Sequence, residues 1–313
     1  MKVNSRSVMG QLSDMDLRLL RVFKSVVDCG GMAASELELN IGTSTISRHI
    51  KDLETRLGLT LCRRGRSGFS VTAEGERIYQ ETLRLLSSAD QFRSSVDDLH
   101  RHMGGELNVA IHDKTATNPA AKIAEAIDLF CERAPGVTLN MHVAPINPIE
   151  RGVLDGQFQI GVIPTHRSSD SLIYEDLFDE TMLMYCGANH PLFDISHAKL
   201  DWNDMQPYDF AALGHHSPNM KITREMRLSR KATGFDQEAI ATLILSGRYL
   251  GFLPDHYAQG FVARNLMRVV KPKQFNYACS FVGILRRSPQ PSRVCLAFWE
   301  CLLQAHGKTA QAI

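Results

Sequence analysis

The stretch "GTSTISRHIKDLETRLG", residues 42–58, decides how the first part of the chain is read. Ile46, Ile50, Leu53 and Leu57 recur at spacings of four, three and four, one apolar stripe of an α-helix. Arg48, Lys51 and Arg56 fall off that stripe, while Thr43, Ser44, Thr45 and Ser47 crowd the first turn and a half. Gly58 is placed to end the helix in a left-handed conformation. A helix start made of small hydroxyl residues lets a partner approach closely and offers it hydrogen bonds.

The flanks narrow what that partner is. Residues 16–28, "DLRLLRVFKSVVD", put Leu17, Leu20, Phe23 and Val27 on one face of a helix, with Asp16 at its start and "CGG" as its stop. A shorter helix is expected in "MAASELEL" (32–39), then the tight turn "NIG", then the quoted helix. Three short helices with a glycine-containing turn between the last two is the helix-turn-helix layout. In "LTLCRRGRSGFSVT" (59–72) the alternating Leu59 and Leu61, the basic run and then Phe69 and Val71 read as a small hairpin with a basic tip. Such a run is commonly a solvated turn; directly after a helix-turn-helix it is also placed to reach phosphates. Six basic and two acidic residues lie between 43 and 69, although the whole chain carries only +1. The local excess suits a phosphate backbone, and the near-neutral total excludes a general polycation.

From Thr72 to His102 the pattern is one long helix. Ile78, Leu85, Phe92 and Leu99 repeat every seven residues, with Ala89, Val96 and Met103 four after the last three, a coiled-coil-like seam. The seam serves either packing on its own domain or pairing with a second copy, and its length between two domains favours pairing. After the linker Gly104–Gly105 the character changes to strand "ELNVAI", helix "NPAAKIAEAIDLFCERAPG", strand "VTLNMHV", helix "IERGVLDG" and strand "FQIGVI". That is β-α-β-α-β, a parallel sheet with crossover helices. It resumes in "TMLMYC", "DQEAIATLILSGRYLGFLP" and "CSFVGIL", and ends in the helix "RVCLAFWECLLQ". The C-terminal two-thirds is therefore expected to be α/β, in two lobes.

The bulk properties fit a globular protein of two or three domains: 313 residues, 44% hydrophobic and 22% charged. No signal-peptide core follows the first lysine and no apolar run reaches membrane-spanning length. Seven scattered cysteines without CxxC spacing point to a reducing cytoplasm rather than a disulfide framework. Adjacent His215 and His216 lack a cysteine or carboxylate at ligand spacing, so no metal and no cofactor are expected. Neither GxGxxG, Walker A, GxSxG nor HExxH occurs, which leaves an enzyme reading without a catalytic set. A transport-type solute-binding protein is the other alternative, and the helix-turn-helix argues against it.

In the combination "DLRLLRVF", "GGMAAS", "STISRHIKDLETRLGLTLCRR" and "VTAEG", at these spacings, the chain resembles LysR-type transcriptional regulators. "VLDGQFQIGVI", "NHPL", "WNDM" and "SGRYLGFLP" extend the resemblance along almost the whole length. It implies a winged helix-turn-helix domain (1–71), a linker helix that dimerises (72–105) and a two-lobed α/β effector domain similar to periplasmic binding proteins (106–313). Lobe I is expected at about 106–168 and 268–313, and lobe II at about 169–267. The chain departs from the family pattern at Thr43, where Gln is frequent, at Glu36, where Ala is usual, and at Cys62, where Phe is common.

The expected function is sequence-specific binding of double-stranded promoter DNA, modulated by a small molecule, by a homodimer or homotetramer and without enzymatic activity. Thr43, Ser44, Thr45 and Ser47 are placed to approach base edges, with Arg48 reaching a guanine edge or a phosphate. Lys51, Arg63, Arg64 and Arg66 are expected on phosphates. For the effector, Thr115, Thr117 and Asn118 offer hydroxyls and an amide at a strand-to-helix junction suited to a carboxylate, or else cap the helix. The resemblance adds Thr165, His166, His215, Phe235 and Asp236 as lining positions.

Overall fold

The computed structural model describes residues 11–65, 68–99, 103–214 and 224–309. The chain forms two compact units, Met1–Phe92 and Arg93–Ile313. In the first, α1 (Asp14–Asp28) starts at a capping box, with Ser13 and Asp16 bonding each other's backbone. A short α2 (Glu36–Leu39) and α3 (Thr43–Leu57) follow. Only four residues of the expected 32–39 helix are helical. The Ser35 hydroxyl turns back onto the Met32 carbonyl, and local bonds of this kind compete with helix geometry.

On α3, Ile46, Ile50 and Leu53 are fully buried against Leu19, Leu20, Phe23 and Val26 of α1. Gly58 closes the helix at φ +65°, a left-handed conformation that costs a side-chain-bearing residue more. The Glu54 carboxylate accepts from the backbone N–H groups of Leu61 (2.7 Å) and Cys62 (3.1 Å) and so ties α3 to the hairpin. That hairpin pairs β1 (Cys62–Gly65) with β2 (Gly68–Val71). The long α4 (Ala73–Leu99) spans 27 residues, roughly 40 Å at helical rise. Its seam divides. Ile78 and Leu85 pack on the core of the first unit, whereas Phe92 (73%) and Val96 (37%) face solvent.

The second unit is built on one sheet in the order β4-β3-β5-β11-β6-β9-β7-β8, with β10 beside β6. At one end β3 (Gly105–Ile111) runs parallel between β4 (Val137–Val143) and β5 (Ile160–Pro164). Helices α5 (Ile123–Arg133) and α6 (Ile146–Asp155) are the crossovers. The expected single helix over 118–136 is instead a 3₁₀ turn at Pro119–Ala121 and then α5, because Lys122 between them is left-handed at φ +47°. Strand β4 forms as expected, but its burial does not alternate beyond Leu139: it is an edge strand with Met141, His142 and Val143 all exposed.

At the other end lie β7 (Asp209–Leu213), β8 (Ser229–Gly234), α7 (Gln237–Leu245), β9 (Leu250–Pro254), α8 (Asp255–Ala263) and β10 (Met267–Val269). The two ends form two lobes joined by a long antiparallel pair, β6 (Leu172–Gly187) and β11 (Asn276–Arg286). The register of that pair shifts between Phe281 and Val282, a bulge at the middle of the connection where such strands bend. Finally α9 (Arg293–Ala305) packs on α5, with Phe298 edge-on to Phe130 at 5.2 Å. Trp299 fills the space over Gly283, where a Cβ would stand 2.9 Å from its ring.

Candidate functional site

In the first unit, burial of Ile46, Ile50 and Leu53 leaves Ser44, Arg48 and Lys51 exposed on the opposite face of α3, at i, i+4 and i+7. Thr43, Thr45 and Ser47 are half-buried at the edges of that face. Arg63 is exposed on β1; Arg64 is in the same strand, with its side chain outside the described residues, as is the whole of Arg66. Two features of this surface have no single-residue signal in the sequence. Arg18 on α1 comes close enough to α3 to act on His49: burial, then Arg18 and Arg48, hold that imidazole below its ordinary range. Both α1 and α3 thus contribute positive charge.

The second feature is Glu36. Its carboxylate accepts from both the backbone N–H and the hydroxyl of Thr43, and these two bonds hold it below the usual carboxylate range. Gly42, the N-cap residue, has no side chain to cap the helix. Glu36 therefore does that work from α2, and the helix macrodipole favours the negative charge there. The two departures from the family pattern, at 36 and 43, are one structural device. Thr43 is committed to Glu36, while Ser44, Arg48 and Lys51 form the open face.

In the second unit, strand ends of both lobes meet around a small cavity of about 20 Å³, room for one water-sized group. Its polar wall is His112, Asp113, Glu180, Gln237, Tyr277 and Cys279, and its apolar wall is Ile146, Pro164, Met182, Leu213 and Phe281. Four contacts bridge the lobes beside it. Asp113 accepts from the Gln237 backbone N–H at the start of α7 (2.7 Å). Lys114 pairs with Glu238 and lies 4.7 Å over the Tyr257 ring, whose hydroxyl donates to the same carboxylate at 3.0 Å. The Thr117 hydroxyl meets His256 Nδ1 at 2.8 Å, and His256 Nε2 meets Glu180 at 2.9 Å, with Glu180 buried and the His256 side chain 8% exposed. A wider groove of about 630 Å³ shares Glu180 with the cavity and adds His256, Asp179, Asp255 and Asn118. The Cys279 thiol is pushed up to about 12 by burial and by Glu180 and Asp179, far from a reactive thiolate.

Of the sequence candidates, Thr117 joins the bridging chain and Asn118 lines the groove. The Thr115 hydroxyl is buried and donates to the His112 carbonyl, and the Asn118 side chain also caps the 3₁₀ turn at Ala120. Thr165 is exposed, its N–H bonded to the Ser280 carbonyl, and His166 lies 3.5 Å from the buried Glu150. Phe235 is exposed with its ring edge over Gly214, and Asp236 caps α7 through the Ala239 N–H. His215 lies outside the described residues. His112, Asp113, Glu180 and Gln237 come instead from the turn after β3, from strand β6 and from the start of α7, up to 125 residues apart, and nothing local in the sequence marks them as neighbours.

Residues 17–76 match the bacterial regulatory helix-turn-helix protein of the lysR family, and residues 76–307 match the LysR substrate binding domain. The chain belongs to the LysR family of transcriptional regulators. This LysR-type regulator is 38% identical over 294 residues to the HTH-type transcriptional activator BauR of Pseudomonas aeruginosa, an alignment covering 94% of this chain and 96% of BauR. It is 24% identical over 210 residues to the Hca operon transcriptional activator HcaR of Escherichia coli, covering 66% and 70% of the two chains. In fold it is similar to full-length CbnR complexed with its target DNA, with a TM-score of 0.61 at 18% identity, covering 92% of this chain and 99% of that one. The first unit thus carries the DNA-binding helix-turn-helix of a LysR-type regulator, and the second carries its effector-binding domain. Among the described residues, no helix is long and apolar enough to cross a membrane.

Proposed function

We propose that this regulator acts in the cytoplasm as a homodimer, or a pair of dimers, and reads a two-fold symmetric promoter site with α3. The supporting observation is the face of α3: Ser44, Arg48 and Lys51 stand exposed on one line while the opposite line is sealed into the core. Ser44 and Thr45 approach base edges, Arg48 reads a guanine, and Lys51 with Arg63, Arg64 and Arg66 holds phosphates. Thr43 contributes by holding the helix start against Glu36, and Ser47 lies at the edge of the contact. The exposed half of the α4 seam, Phe92 and Val96, is the surface offered to a second copy, as an apolar heptad stripe open to water is when it lacks its partner. The effector binds between the two lobes of the second unit, around the cavity bounded by Asp113, Glu180 and Gln237. Thr117, Asn118, Thr165, His166, Phe235 and Asp236 act as the rim of that cleft. The protein works by binding, not turnover.

Footprinting on DNA that the purified protein retains tests the dimeric reading. Two protected half-sites related by two-fold symmetry, with centres separated by about one helical turn or a multiple of it, are expected. A single asymmetric protected site contradicts it.

A further inference from the structure

The groups in the closed cleft that suit an anion are already used by the protein itself. The first N–H of α7 is taken by Asp113, and the Ala239 N–H by Asp236. The Thr115 hydroxyl donates to the His112 carbonyl, and the Asn118 carbonyl oxygen is held by Ala120. The small cavity has two carboxylates in its wall, Asp113 and Glu180, beside His112 and Tyr277, and among the described lining residues there is no lysine or arginine. One Asp113 oxygen lies 3.0 Å from His112 Nε2 and the other accepts from the Gln237 N–H, and one Glu180 oxygen meets His256 Nε2, which leaves each carboxylate further lone pairs for a donor. Gln237 is 5% exposed and lines the cavity, and its Oε1 accepts no hydrogen bond among the described residues. A buried acceptor without a donor costs stability, and a ligand that supplies the donor recovers it. The wider groove continues the pattern, adding Asp179 and Asp255 to the shared Glu180.

We propose that the effector is a small aliphatic amine whose ammonium head is held in this cavity by Glu180, Asp113 and the Gln237 carbonyl oxygen. The inference rests on the reading of the interlobe cleft as the effector site. An ammonium group has the size of a water molecule and donates three hydrogen bonds, matching a cavity with room for one water-sized group and three acceptors around it. It stays charged at neutral pH, as a lysine side chain does. The alkyl body lies against Ile146, Pro164, Met182, Leu213 and Phe281, which supply the apolar contact a short chain needs. Because the closed cavity admits only the head, the lobes part about the β6–β11 connection to accept the rest.

The test uses the full-length protein at neutral pH and a matched four-carbon series: butylamine, 4-aminobutanoate, 1,4-diaminobutane and butyrate, each at about ten millimolar. The readout is the thermal midpoint of the effector domain. Wild type, Glu180→Gln, Asp113→Asn and Leu213→Phe are compared, the last filling the cavity with an apolar ring. Each variant is first shown to be folded by its own unliganded melt, and having two carboxylate variants keeps the test open should one fail. At least one amine is expected to raise the wild-type midpoint by about 2–4 °C, as a ligand present well above its dissociation constant does. That shift should vanish in Leu213→Phe and in either carboxylate variant, and butyrate should give none. A shift with butyrate but with no amine, lost in Leu213→Phe, overturns the amine while leaving the cleft in place. An amine shift that survives in Leu213→Phe overturns the cleft assignment and the proposal with it. No shift from any amine overturns the proposal.

Discussion

Replacing Lys51 by alanine separates a phosphate contact from a base contact on the same helix face. Lys51 is exposed two turns into α3, off the buried stripe of Ile46, Ile50 and Leu53, so its removal leaves the core intact. With Lys51, Arg63, Arg64 and Arg66 on phosphates in each of two subunits, about eight contacts set a log–log salt slope of about −7.2. Between about 50 and 200 mM salt the wild-type binding constant then falls by roughly four orders of magnitude. Lys51→Ala removes two contacts per dimer, so the slope becomes about −5.4 and the same salt step costs only about 2,000-fold. Arg48→Ala, as loss of a base reader, should weaken the specific site by about 1–3 kcal/mol with a smaller change of slope. Fluorescence anisotropy on a labelled duplex carrying the retained site, with a scrambled duplex beside it, measures both quantities. An unchanged slope in Lys51→Ala refutes the phosphate role. Equal weakening of both duplexes by Arg48→Ala refutes the base-reading role.

Three further outcomes follow from the packing and the titrating groups. Leu53→Ala empties a fully buried position at the centre of the first unit and should cost about 2–5 kcal/mol, visible by calorimetry as a fall of well over 5 °C in that unit's midpoint; a fall below about 2 °C counts against the assigned core. Burial raises the thiols of Cys186 (to about 11), Cys279 and Cys295 (both to about 12), so at about pH 8 iodoacetamide should leave them unmodified in the folded protein while the exposed Cys131 reacts. Mass mapping decides this, and rapid modification of Cys279 contradicts the closed cleft. Asp16, through Ser13 and then Arg56, and Glu36, through Thr43, are both held below their ordinary values of 3.8 and 4.5. Groups lowered on folding stabilise above their unfolded values and lose that contribution as pH falls through the folded ones, so the midpoint of the first unit should drop between about pH 5 and 3. A circular-dichroism melt series should show a shallower drop for Glu36→Gln, and an identical drop removes Glu36 from the account.

The sequence is most legible where a periodic pattern coincides with one buried face. Ile46, Ile50 and Leu53 announce α3, and the β-α-β runs after Gly105 announce the parallel end of the sheet. Short polar segments are harder to read, because serine, threonine and asparagine bond their own backbone. Ser35 shortens the second helix in this way, and Thr115 and Thr117 sit in a 3₁₀ turn, with Asn118 capping the next one, rather than at the start of a long helix. The Glu36–Thr43 bond is invisible to any period because it joins two elements across a turn. The cleft is least legible of all. Glu180 stands in the middle of a sixteen-residue strand, and only the pairing of β6 with β11 and the closing of α7 onto Asp113 bring it beside Gln237.

Capture of sheared genomic DNA by the purified full-length protein at low salt, followed by sequencing, with Arg48→Ala run in parallel, tests most directly that α3 reads a specific promoter sequence. An enriched, two-fold symmetric site that the variant fails to enrich is the expected result. No enrichment, or the same site recovered equally well by Arg48→Ala, contradicts it.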